Sequence, residues 1–301
     1  MVGMTLTVHL WRMKFQDPYR FVDAARARLC VAIPALLCTV VALTGCSDRA
    51  GDAPARPTTP VVSQEIREVD FSNLEWFDSV TASTVKLVDG AARRDADNES
   101  GGLSWQVSGP PRYADADGDG DEDAAVGLRA TGAQLVSEAW YVWLWGDGQV
   151  QQLRLPIATT SRCSRPIEAV TAVPDGFMVK QFMSVSEDSC ASGGSVPITH
   201  VVGVRHGWPV RIHPYYGPMA PCDPRHFSVA LHPAGKVSLY TSADVRSPLV
   251  EPAATYDRFL VDKYSADPSL TPEWDWILGI AVSGTRKVCG WARADQVRAL
   301  W

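Results

Sequence analysis

The sequence predicts a mainly β protein, built as an antiparallel β-sheet domain followed by a smaller β domain. Three observations predict it. Short runs of β-branched and aromatic residues recur through the chain, separated by turn signals such as Asp89-Gly90, Gly146-Asp147-Gly148 and Pro174-Asp175-Gly176. Helical periodicity is confined to the C-terminal end, at Arg293 to Leu300. Around Tyr216 to Pro224 the chain changes character, with prolines at 218, 221 and 224 and a glycine at 217, which marks a boundary between two folded parts.

The first 45 residues read as a processing segment. Arg20, Arg26 and Arg28 form a basic region, and Leu29 to Leu43 is an apolar run interrupted by Pro34. The run falls short of the roughly 20 apolar residues that a membrane span needs. Met13 is a plausible true start, because the preceding residues add nothing a signal requires. The segment ends in Leu43-Thr44-Gly45-Cys46, which resembles the lipobox of bacterial lipoproteins. That resemblance implies cleavage before Cys46, a diacylglyceryl group on its sulfur, and attachment to the cell membrane on its extracytoplasmic face. Two acyl chains would hold firmly, since each buried CH₂ contributes about 0.8 kcal/mol. The alternative is an ordinary secretory signal with an incidental cysteine. Residues 46–69 are rich in Pro, Ala, Thr and charge without an apolar period, and read as a disordered tether.

The first folded part is expected over residues 70–220. Phe71 to Leu74 with Trp76, Thr84 to Val88 and Leu103 to Val107 read as short strands. Pro110-Pro111 leads into Asp115-Ala116-Asp117-Gly118-Asp119-Gly120-Asp121-Glu122-Asp123, where carboxylates stand at every second position. So many like charges in one loop repel unless a cation neutralises them, and a hard cation such as Ca²⁺ takes six to eight oxygens at once. The spacing assigns side-chain oxygens to Asp115, Asp117 and Asp119, a backbone carbonyl to Asp121, and a direct or water-bridged ligand to Asp123. Gly120 occupies the sixth loop position, which calls for positive φ. An EF-hand would carry a Glu at the twelfth position; Val126 stands there, and Ala124 to Leu128 reads as a buried strand. The stretch from Tyr113 to Leu128 resembles the D-x-D-G-D-G-x-x-D loops of FG-GAP-type and dockerin-type repeats, which implies a structural Ca²⁺ between strands. One such loop does not make a propeller, whose blades need repetition. An acidic solvated turn without an ion, or Mg²⁺, are the alternatives.

Further strands are expected at Ala139 to Trp145 (a central one), Gln149 to Leu155, the hairpin Ile167 to Val173 with Phe177 to Phe182, Val196 to Val204, and Trp208 to Ile212. In the first of these Trp143 and Trp145 point to one face and Trp140 to the other. Eleven tryptophans are many for this length. Most are expected in the core, although a ring on an exposed β face could hold a sugar or peptide.

The second part is expected over residues 221–301. Val237-Ser238-Leu239-Tyr240, then Pro248-Leu249-Val250, and finally Cys289-Gly290-Trp291 running to Asp295-Gln296-Val297 resemble bacterial SH3-like domains. Ala292 stands where that family usually has Val, and its N-V-R-S-G-P signature is absent. The resemblance implies a small β-barrel, with cell-wall peptide as the natural ligand class. Beyond Cys46 the mature chain holds Cys163, Cys190, Cys222 and Cys289. An even number in an exported protein reads as two disulfides. The pairing 163–190 with 222–289 is favoured because each then closes a loop inside one half.

From Cys46 onward 23 Lys+Arg stand against 32 Asp+Glu, a net charge of −9. An acidic surface repels phosphates and argues against nucleic acid. No Gly-x-Ser-x-Gly elbow accompanies a pairing of His206 or His226 with Asp223 and Ser228, so a nucleophilic triad has little behind it. Metal ligation by His200, His206 and His213 would need neighbouring strands to converge. The expected task is binding or interaction at the cell envelope or wall, without catalysis. The alternative is an exported hydrolase whose active site the sequence does not mark.

Overall fold

The computed structural model describes residues 63–95, 102–184, 188–263, 265–266 and 275–298. The signal segment, Cys46 and most of the expected tether lie outside the described residues. The described residues belong to one compact unit spanning Thr58–Trp301. It is mainly β, with antiparallel sheets throughout. No helix among the described residues is long and apolar enough to cross a membrane.

A 3-10 turn, Glu65–Glu68, opens the described chain, followed by a second at Phe71–Asn73. The sequence predicts a strand from Phe71, but the Asp70 carboxylate accepts the Ser72 N–H at 3.0 Å and caps a tight turn instead. The hairpin β1 (Glu75–Asp78) and β2 (Ser83–Lys86) comes next.

The central sheet has the order β3 (Ala91–Arg94), β4 (Leu103–Ala114), β5 (Asp123–Thr131), β6 (Val136–Gly146), β7 (Gln149–Gln152), with β8 (Ala158–Thr160) also pairing with β6. β4 runs on through Pro110 and Pro111, beyond the expected strand. A register shift between Ser108 and Arg112 lets the chain pass two residues that lack N–H donors. β5 and β6 are buried on both faces, as their near-continuous apolar runs require. One face packs Val126, Tyr141 and Trp143 against Ile66, Phe71, Trp76 and Leu87. Here Trp143 meets Phe71 and Trp76 edge-on, with ring centroids 5.6 and 4.9 Å apart. The other face packs Ala125, Trp140 and Val142 against a second sheet. Trp143 and Trp140 therefore take opposite faces, as the period of two dictates.

The second sheet is β12 (Trp208–His213), β11 (Val196–Arg205), β10 (Gly176–Met183), β9 (Ala169–Val173) in that order. Phe177, Val179, Val202 and Val204 form its buried face. The C-terminal sheet has the order β13 (Val229–Leu231), β16 (Arg258–Val261), β17 (Trp276–Ser283), β18 (Arg286–Arg293), β14 (Val237–Tyr240), β15 (Leu249–Ala254). Phe259, Ile277, Leu239 and Ala292 fill its own core. The helical period at Arg293–Leu300 yields α1, a single turn over Ala294–Val297.

The structure pairs Cys163 with Cys190, and Cys222 with Cys289. The second bond ties the segment before β13 to β18, next to Ile280 and Val282.

Candidate metal centre

The Asp-rich loop joins the end of β4 to the start of β5, and its own backbone shapes it. Asp115 Oδ1 accepts the Gly118 N–H at 2.8 Å, and Oδ2 accepts that of Gly120 at 3.2 Å. Asp117 Oδ1 accepts from Asp119 at 3.2 Å, and Asp119 Oδ1 from Asp121 at 2.9 Å. The last two are successive Asx turns, in which a short carboxylate binds its own chain two residues on, while Asp115 reaches three and five residues on. Gly120 takes φ +98°, the left-handed region its loop position calls for.

Asp123, the first residue of β5, closes the loop from inside. It is fully buried and accepts two backbone N–H groups, Ala116 at 2.9 Å and Trp145 at 3.1 Å. Ala116 in turn accepts the Val204 N–H at 2.7 Å, which fastens the loop to β11. One carboxylate oxygen from each of Asp115, Asp117 and Asp123 lies within 4.8 Å of the other two. That is the span covered by one cation with Ca–O distances of about 2.4 Å. Carboxylate oxygens are the hard donors that Ca²⁺ takes, so these three residues could hold such an ion.

Burial and mutual repulsion also perturb these carboxyls. Burial pushes the Asp123 carboxyl up to about 7; the two N–H donors oppose this, and Asp117 and Asp119 add to it. Burial, followed by the charge on Asp119, also raises the Asp117 carboxyl. A bound cation would reverse both shifts by favouring the charged forms.

Of the five aspartates singled out in the sequence, three converge. Asp119 turns its carboxylate onto the Asp121 N–H, and Asp121 forms a parallel bridge with Ser63; both stand outside the trio. Val126, at the twelfth position, is fully buried in β5.

A contact missed in the sequence is the strap over this loop. The Ser63 N–H donates to Gly120 O at 3.1 Å, and Glu122 N–H donates to Ser63 O at 2.9 Å. Arg67 grips Glu122 through Nε and Nη2 at 2.5 and 2.8 Å, with its guanidinium 4.9 Å from the Tyr113 ring centroid. Glu65 accepts the Trp145 indole N–H at 3.2 Å. Residues 63–69 belong to the stretch predicted as tether, yet Ile66 is fully buried there. The tether prediction weighs average composition, and a single isoleucine among charges does not stand out.

The histidines are dispersed. His200 is buried on β11, His206 sits in the β11–β12 turn at φ +52°, and His213 ends β12. Both Asp223 oxygens accept from Arg225, whose hydrogen bonds pull that carboxyl down to about 2. Its strongest partner is thus an arginine, which is not what a triad needs. No protein-family model, curated protein or solved structure matches the chain.

Proposed function

We propose that the chain is a bacterial lipoprotein, held to the extracytoplasmic face of the cell membrane through diacylglyceryl-Cys46. Its folded part is a non-catalytic binding or interaction module for the cell envelope, braced by one structural Ca²⁺. The observation that carries the reading is the convergence of Asp115, Asp117 and Asp123 at a seam. There the strap, the β4–β5 connection and β11 are joined by the hydrogen bonds described above. An ion at such a seam would hold these elements together, which is a structural role.

The C-terminal sheet supports the finer part of the proposal. β16, β17 and β18 form an antiparallel meander, Gly290 and Trp291 lie within β18, and one helical turn follows. This arrangement agrees with the SH3-like resemblance and favours cell-wall peptide as the ligand class.

Thermal unfolding of the full chain in detergent micelles tests the ion. At a hundredfold excess over Kd, Ca²⁺ should raise the midpoint by roughly 5–10 °C over chelator. Mg²⁺ should do much less, and Asp117→Ala should abolish the rise. Equal midpoints with Ca²⁺ and with chelator would remove the ion from the proposal. Labelled palmitate incorporation tests the anchor: Cys46→Ser should lose both the label and membrane fractionation.

A further inference from the structure

We propose that Arg211, with Gly217 beside it, forms a binding site for a carboxylate group on the inner face of β11 and β12. Arg211 pairs with Val202 across the two strands and so faces the core. It is 2 % exposed. Its Nε and Nη2 find no hydrogen-bond partner among the described residues. These two nitrogens share one edge of the guanidinium fork, and that edge binds a planar carboxylate through two parallel N–H···O bonds.

A buried guanidinium is costly without a counter-charge, because it does not escape by losing its proton. Burial draws its pKa down, while the neighbouring Tyr215 hydroxyl works in the other direction. Tyr215 also lies with its ring centroid 4.2 Å from the guanidinium and hydrogen-bonds to the side chain, while Nε and Nη2 find no partner of hydrogen-bond geometry. That edge lies against Gly217, whose N–H and C=O are bonded to the Arg211 backbone. A Cβ at position 217 would sit 3.1 Å from Nη2, so any side chain there would crowd the guanidinium edge. His200, two residues before Val202 on the same face of β11, also carries an unpartnered Nε2. As a neutral imidazole it can donate to the second side of a bound carboxylate.

Tyr215, which lies over the guanidinium, is half exposed. The ligand class is a small carboxylate or the free carboxylate of a peptide. The site stands on its own residues, independent of the Asp loop and of the lipid anchor.

The test uses the full ¹⁵N-labelled chain in detergent micelles, titrated with sodium formate and, separately, sodium chloride at constant ionic strength. One arginine Nε–H signal should move downfield and saturate with formate, stay in place with chloride, and vanish in Arg211→Met. Gly217→Ala should weaken formate binding by about tenfold or more, as expected when one of two parallel bonds is lost. No saturating signal, or an equal response to chloride, overturns the site; so does a response that survives in Arg211→Met. Should that variant fail to fold, Gly217→Ala decides alone, and undiminished formate affinity there overturns the assignment. Binding of formate but not of an acetylated peptide with a free C-terminus would assign the site to small carboxylates over peptide ends.

Discussion

His200 lies with its ring in the interior between β10 and β12, and burial, followed by the charge on Arg211, lowers its pKa to about 4. The unfolded chain titrates near 6.5, so between about 6.5 and 4 it binds a proton that the folded chain refuses. Stability therefore falls as pH drops through that window. The loss approaches about 3 kcal/mol in total at 1.36 kcal/mol per unit. Urea unfolding at pH 7, 5.5 and 4.5 should show a shallower decline for His200→Leu than for the parent chain, and parallel declines would refute this. Asp123 makes a different prediction. Asp123→Ala strands the buried N–H groups of Ala116 and Trp145 and should cost about 2–4 kcal/mol in chemical denaturation, with chelator present throughout. A loss below 1 kcal/mol would mean that other acceptors take over those donors.

Strands carry the next level of organisation. The central strand at residues 139–145, the hairpin at 167–182 and the strand pair at 196–212 are legible in the sequence because dense β-branched and aromatic runs stand between Gly and Asp turns. β16 and β17 escape notice: Arg258–Val261 is short, and Trp276–Ser283 follows a polar stretch with prolines at 268 and 272. The Asp loop is legible as a connection between strands, but which of its carboxylates converge depends on backbone turns that spacing does not encode. The strap is the largest difference. Ile66 packs against the cluster of Phe71, Trp76 and Trp143, so Ile66→Ala should destabilise the protein by about 2–4 kcal/mol. A true tether residue would leave the unfolding midpoint unchanged, and calorimetry distinguishes the two.

Across the molecule, β13–β18 form a sheet that shares no strand with the sheets before it, within one compact unit. The two disulfides respect that division, each closing a loop within its half. Chain-entropy arguments give about 3.5 kcal/mol for the bond spanning 27 residues and about 4.4 kcal/mol for the one spanning 67. Replacing Cys222 and Cys289 together by Ala should therefore lower the unfolding midpoint more than replacing Cys163 and Cys190, and the reverse order would count against this account.

The strap also fixes where mechanical load enters the fold. A pull on the chain ahead of Ser63 reaches first the two backbone bonds to Gly120 and Glu122, then the Arg67–Glu122 fork, and only afterwards the buried Ile66. The Asp loop thus takes the first tension as a latch, and the β-sheet core behind it is loaded only once that latch has slipped.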